Sequence, residues 1–224
     1  MTSRVLRHIT VTCAVLASLS ALAQPTGLSY EVVQRHEGMV GTTDLTGFTT
    51  YRIYVEYTND RDFLSSMYGS TRDSIAPFTF SPDDEDIVLE ADCGCFHSEY
   101  GALFANGFNM NIAAMAPELA YHSFYTINKV GSSDAGQLSY IASTLSHSEE
   151  EATSICNWRI DDGSIFTYAG EPNGFAQEGK RVLIAQVTSC SAELRLSVCI
   201  QTFVEGSQEN VHYWCTETPF LITP

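Results

Sequence analysis

Basic side chains are scarce in this sequence: eleven Lys and Arg stand against twenty-seven Asp and Glu, a formal net charge of −16. A surface of that sign repels phosphate backbones and anionic bilayers, which sets nucleic acid aside as a partner. Long apolar runs are equally lacking. The best of them, Ile9 to Leu22, is about 14 residues, short of the ~20 a bilayer-crossing helix needs, so membrane insertion is not expected. Catalytic signatures are missing too. The nearest approach to Gly-x-Ser-x-Gly is Gly131 to Gly136, whose last glycine comes one place late in a polar turn. There is no His-Glu-x-x-His, no EF-hand spacing, and no Asn followed two places on by Ser or Thr.

What is present begins with a leader. Arg4, Arg7 and His8 precede the apolar run, and Ala21-Leu22-Ala23 supplies a small-x-small cleavage site. Residues 1–23 therefore read as a signal peptide, and residues 24–224 as one secreted, extracellular domain. Cleavage would remove Arg4 and Arg7, leaving an even more acidic chain suited to cations, basic proteins or neutral glycans.

Of the seven cysteines, Cys13 falls in the leader; Cys93, Cys95, Cys156, Cys190, Cys199 and Cys215 remain. An even number in an exported chain reads as disulfides. The spacing Cys93-x-Cys95-x-His97 also suits a zinc knot, but no second ligand pair of that kind follows. One bridge follows from register. If residues 205–209 close a hairpin that sets Val204 against Asn210, Cys199 falls opposite Cys215. Cys93 and Cys95 are too close in sequence to bond each other without strain. They are expected to pair with Cys156 and Cys190, in an order the sequence leaves open.

Hydropathy alternates with period two almost everywhere. In Thr50 to Thr58, Tyr51, Ile53, Val55 and Tyr57 share one face. Leu28 to Val33, Phe63 to Tyr68, Gln137 to Ala142 and Glu193 to Val204 read as further strands, and Val182 to Val187, apolar on both faces, as a central one. Ile155 to Ile160 and Ser164 to Tyr168 flank Asp161-Asp162-Gly163, a tight-hairpin signal. The fold class is all-β: an antiparallel β-sandwich, jelly-roll-like, of about ten strands. One or two short helices are expected, at the end of Gly101 to Ala116 and over Ser148 to Ser154.

Three features carry candidate chemistry. Asp83, Asp84, Glu85 and Asp86 cluster hard oxygen ligands on a loop, as calcium binding requires, or form a solvated acidic turn. Tyr54, Tyr121, Tyr125, Trp158 and Trp214, with His122, are candidate binding residues, because rings beside polar groups can stack on sugars. Pro117 to Ile127, PELAYHSFYTI, reads as a strand. Leu119, Tyr121, Ser123, Tyr125 and Ile127 then take the core face, and His122 lies on or near the surface.

Thr50 to Tyr54 with Phe63 to Gly69, Pro117 to Ile127, and Arg181 to Thr188 together resemble secreted modules of marine bacteria and some microalgae, often borne on large surface proteins. In those the middle stretch runs close to Pro-x-Leu-x-Tyr-Asp-Ser-Trp-x-Thr-Ile-Gly; here His122, Phe124 and Asn128 replace its Asp, Trp and Gly. The resemblance implies an extracellular module and nothing catalytic. The leading expectation is a secreted, non-catalytic module that binds or scaffolds glycan or protein. The rivals are a carboxylate-dependent hydrolase of extracellular polymer and a calcium-loaded structural component. No cofactor is expected beyond calcium.

Overall fold

A computed structural model describes residues 25–69, 87–142, 155–157, 159–160, 163–177 and 179–223. The leader, the acidic run Asp83 to Asp86, Trp158, Asp161-Asp162 and the stretch Ser148 to Ser154 lie outside them. The fold is mostly β, and every pairing between its strands is antiparallel. Among the described residues the helical segments are short 3-10 turns; Met110–Ala114 is the one that ends the 101–116 loop.

Three sheets carry the structure. The first orders β1 (Gly27–Arg35), β4 (Thr49–Glu56), β11 (Arg181–Ser189) and β7 (Phe124–Tyr125). The second orders β14 (Val211–Cys215), β13 (Cys199–Phe203), β5 (Phe63–Gly69), β10 (Gly163–Phe166) and β8 (Ser139–Ala142). The third orders β15 (Phe220–Ile222), β12 (Leu194–Ser197), β6 (Ile87–Ala91) and β9 (Arg159–Ile160). A small hairpin joins β2 (Met39–Val40) to β3 (Thr43–Asp44).

Most of the expected strands form, with corrections. Of Ile155 to Ile160, Ile155–Asn157 is a 3-10 turn and, among the described residues, Arg159–Ile160 alone is strand. Glu193 to Val204 is not one strand. It changes sheets at Val198, which separates β12 from β13 and exchanges hydrogen bonds with Thr216. Alternation survives the corner: Leu194, Leu196, Val198 and Ile200 are all buried. The strands on either side of Asp161-Asp162-Gly163 do not pair as a hairpin. Ile160 pairs with Ile87 in the third sheet, whereas Gly163 pairs with Gly69 and Ala142 in the second.

One hydrophobic cluster joins the sheets. Tyr51, Ile53 and Val55 of β4 meet Val182, Ala185 and Val187 of β11; the second sheet adds Leu64, Met67, Ile165 and Ile200, and the third Ile87, Leu89, Leu194 and Leu196. Each such side chain contributes roughly 1.5–3 kcal/mol on burial. The core is what fixes strand register, since a slip by one residue would turn these side chains outward.

Three disulfides staple the sheets: Cys93–Cys190, Cys95–Cys156 and Cys199–Cys215. The last joins directly opposed residues of β13 and β14, with Cα atoms 4.1 Å apart, in the register read from sequence. With Cys93 and Cys95 both bridged, a thiolate zinc knot at Cys93-x-Cys95-x-His97 is excluded in this state. The bridges fit an oxidising, extracellular environment. Among the described residues no helix is long and apolar enough to cross a membrane.

Candidate binding face

Pro117 to Ile127 is not a strand along its length. Pro117 opens a 3-10 turn that runs to Tyr121, the chain bends at His122 and Ser123, and only Phe124 and Tyr125 enter the first sheet, opposite Gln186 and Ala185. Proline suits the first turn of a helix, where its missing N–H is not needed. The bend carries His122 inward, not onto the surface: it is 0 % exposed. Its Nε2–H donates to the Ala102 carbonyl at 2.8 Å, and its Nδ1 accepts the Ser98 amide at 3.2 Å. Both ring nitrogens are thus engaged by main chain. Burial, with His97 nearby, pushes the His122 pKa down to about 4 against the pull of the Ala102 carbonyl. A Cβ on Gly101 would fall 2.4 Å from the imidazole, so this glycine makes room for the ring. His122 is a buried strut.

Ser123 is equally buried, and its Oγ accepts the Thr188 amide at 2.9 Å. The Thr188 and Thr50 hydroxyls lie 2.6 Å apart, and Thr50 Oγ1 is 2.9 Å from His36 Nε2. Tyr121, half-buried, sets its ring edge-to-face with His36 at 4.5 Å. This column of hydroxyls ties the 117–123 arch to β4 and β11. With Ser123 sealed inside, it is a tether and no nucleophile.

The outer face of the first sheet is polar but closed upon itself. Arg181 covers the Tyr54 ring at 3.9 Å and pairs with Glu31 at 3.0 Å. Tyr54 donates its hydroxyl to Glu31 at 2.5 Å. Burial and that carboxylate push Tyr54 up to about 12. Burial alone would raise Glu31, but the Tyr54 hydroxyl and the Arg181 and Arg52 guanidiniums hold its carboxyl below the ordinary value. Arg52 donates to Gln186, whose amide donates on to the Ala120 and His122 carbonyls. Tyr54 is 7 % exposed, so its ring is not a stacking platform.

The second sheet presents a different surface. Cross-strand register sets Tyr213, Gln201, Ser66, Phe166 and Ser139 side by side, and Cys215, Cys199, Tyr68, Ser164 and Ile141 in the next row. The alternate positions Ile200, Met67 and Ile165 are buried in the core, so these two rows form the outer face. Tyr68, Phe166 and Tyr213 are half-exposed, Ile141 is exposed, and Tyr168 extends the face past the end of β10. The Tyr68 and Tyr213 rings stand edge-to-face at 6.2 Å. Gln201 donates its amide to the Tyr213 hydroxyl at 2.8 Å and accepts Ser65 Oγ at 2.8 Å. Ser65 reaches it because it is the extra residue of a β-bulge: Gln201 pairs with Ser66 but Thr202 with Leu64. At one end the face is roofed by Phe175, which packs on Phe63 at 5.0 Å.

The sequence candidates scatter. Tyr125 is fully inside, 1 % exposed. Trp214 opposes Ile200, on the inner side of β14, and packs half-buried against the core. Tyr213, its neighbour, takes the outer side. Tyr54 lies on the outer face of the first sheet, Tyr121 packs on His36 beside it, His122 is buried, and Trp158 falls outside the described residues. Among the described residues no three His, Cys, Asp or Glu gather closely enough to hold a metal. Tyr68, Phe166 and Gln201, which share this candidate face, are not among the residues the sequence singles out. The signal was the alternation Ser66/Tyr68 and Ser164/Phe166/Tyr168, uninformative until register told inner face from outer. No known protein family, curated protein or solved structure matches the chain.

Proposed function

We propose that the mature chain is a secreted, non-catalytic module, a disulfide-stapled β-sandwich, that binds or scaffolds extracellular glycan or protein through the outer face of its second sheet. One contrast supports the reading. The groups that resemble catalytic machinery, His122 and Ser123, are buried and spent on main-chain hydrogen bonds. The aromatic rings of Tyr68, Phe166 and Tyr213 instead stand half-exposed on three strands of one sheet. Rings held on a rigid sheet lose little conformational freedom on binding, which favours a recognition role. The acidic surface argues against nucleic acid and anionic membranes as partners.

The test is retention of the disulfide-intact mature chain on immobilised extracellular polysaccharides and proteins, scored together with product release. Retention without turnover, weakened by Tyr213→Ala, is the expected outcome. Multiple-turnover release of product would overturn the non-catalytic assignment.

A further inference from the structure

Resting on that reading, we propose that the outer face of the second sheet takes one chemical class of ligand, a neutral polysaccharide, laid across the strands from Tyr213 toward Phe166. The argument starts from the arrangement of the two rows. Directly paired residues share a row and adjacent rows are offset by two residues, so the rings lie diagonally: Tyr213 in one row, Tyr68 in the next, Phe166 back in the first. Between or beside them fall Gln201, Ser66 and Ser164, and Ser139 lies just beyond Phe166. Neutral hydrogen-bonding groups therefore separate the rings: Gln201 and Ser66 stand between Tyr213 and Phe166, Ser66 beside Tyr68, and the Cys199–Cys215 bridge fills the start of the second row. A pyranose presents the matching pattern, with C–H faces for rings and rim hydroxyls for amides and hydroxyls.

Charge decides between classes of polymer. No position in either row carries a charge, although the chain has twenty-seven acidic and eleven basic side chains. A sulfated or uronic-acid polymer would find no cation in these two rows and would meet the field of the acidic protein. A basic protein would find no carboxylate there. Size agrees. Tyr213 and Phe166 are three strands apart, about 14 Å at ~4.8 Å per strand, a span that accommodates more than one sugar ring.

The platform is also preorganised. The Gln201 amide is held from one side by Ser65 and from the other holds Tyr213, which fixes both polar groups before a ligand arrives. The Cys199–Cys215 bridge anchors β14, the edge strand that bears Tyr213, to β13 beside Tyr68.

The experiment is affinity electrophoresis of the disulfide-intact chain in gels containing hydroxyethylcellulose, mixed-linkage β-glucan, galactomannan, alginate or carrageenan. Variants are Tyr213→Ala, Phe166→Ala and Ile141→Arg, the last at a position 64 % exposed and therefore tolerant of change. Tyr100→Ala, an exposed ring on the 96–116 loop, is the control. Each variant is first matched to the parent by thermal melting. Retardation by a neutral polymer, weakened about ten-fold or more by loss of either ring and unaffected by Tyr100→Ala, is the expected result. Retardation by the anionic polymers alone would overturn it, as would neutral binding indifferent to all three face variants. If no polysaccharide binds but an extracellular protein does, with the same sensitivity to Tyr213→Ala, the ligand class is wrong and the binding role survives. If neither binds, both fail.

Discussion

The imidazole of His122 packs against that of His97, ring centroids 4.2 Å apart, in a space shared with Phe108 and bounded by Gly101. Desolvation holds both rings below the ordinary histidine pKa, His122 to about 4. The unfolded chain protonates such rings near 6.5 and the folded chain resists, so the stability they lend is complete above 6.5 and is lost as pH falls toward 4. For His122 the full loss is about 3 kcal/mol. Carboxylates of ordinary pKa do not titrate until lower pH, and relieving the negative charge would act in the opposite direction. Urea midpoints should therefore fall between pH 6.5 and 5. A flat or rising midpoint across that window would contradict the buried pair.

Gly101→Ala should destabilise by about 1–3 kcal/mol, the usual cost of overpacking, because its Cβ would meet a ring with no room to retreat. Equilibrium unfolding at pH 7 measures it. A neutral result would mean that the 98–102 loop moves freely away from His122.

Asp62 gives the converse test. It is 1 % exposed; its Oδ1 accepts the Glu205 amide at 3.0 Å, while Oδ2 has no protein partner. Burial raises its pKa despite the hydrogen bonds from the Glu205 and Asn59 amides. Glu205 and Gly206 both sit at positive φ, so the amide that Asp62 holds belongs to a strained turn. Asp62→Asn keeps the acceptor and removes the charge, and should raise the melting temperature at pH 7. Its advantage should shrink as pH falls through the folded-state pKa of Asp62, where the parent carboxyl becomes neutral. Asp62→Ala should cost about 1–3 kcal/mol. Equal destabilisation by both substitutions would refute the account.

What the sequence made legible and what it hid divide along a physical line. The alternation of Tyr51, Ile53 and Val55 and the opposition of Cys199 to Cys215 are local consequences of pleat and register, and both are found. PELAYHSFYTI failed because its period-two pattern is equally served by a turn and a bend. The groups that let His122 sit inside, the Ser98 amide and Ala102 carbonyl, lie about 20 residues away in sequence. The Asp-Gly signal failed for a related reason: which sheet Ile160 and Gly163 join is decided by Ile87 and Gly69, far along the chain. The face proposed for binding turned on one bit, whether Tyr213 or Trp214 points inward, and only pairing with β13 supplies it.

Removing the Cys199–Cys215 bridge by a Cys199→Ser, Cys215→Ser double substitution should cost about 3 kcal/mol, the chain-entropy value for so short a loop. The loss should be uneven. Among the described residues β14 pairs only with β13, at the edge of its sheet, whereas β11 is paired on both sides and buried. Amide exchange should accelerate in Val211 to Cys215 well before it does in Arg181 to Ser189. Uniform acceleration would mean that β14 does not depend on the bridge.

The chain's two lysines should behave as opposites toward an acylating reagent. Lys180 is exposed. Lys129 is 2 % exposed, and its ammonium donates to the carbonyls of Asp134, Ala135 and Gly136, closing the 129–137 loop. Thr126 exchanges hydrogen bonds with its main chain, and the Asp134 carboxylate accepts the Val130 amide at 2.7 Å, so the loop is clasped at three points. Burial lowers the Lys129 pKa, though Asp134 and Glu171 oppose this. A lower pKa would favour acylation of an accessible amine; here it is outweighed by inaccessibility and by three acceptors that occupy the nitrogen. Brief treatment of the folded protein with an N-hydroxysuccinimide ester at pH 8 should label Lys180 and spare Lys129, and the same treatment in urea with the disulfides reduced should label both. Lys129→Met, which leaves those carbonyls without their donor, should cost about 1–3 kcal/mol. Labelling of Lys129 as fast as Lys180 in the native protein would show that the loop opens and that the ammonium is not its clasp.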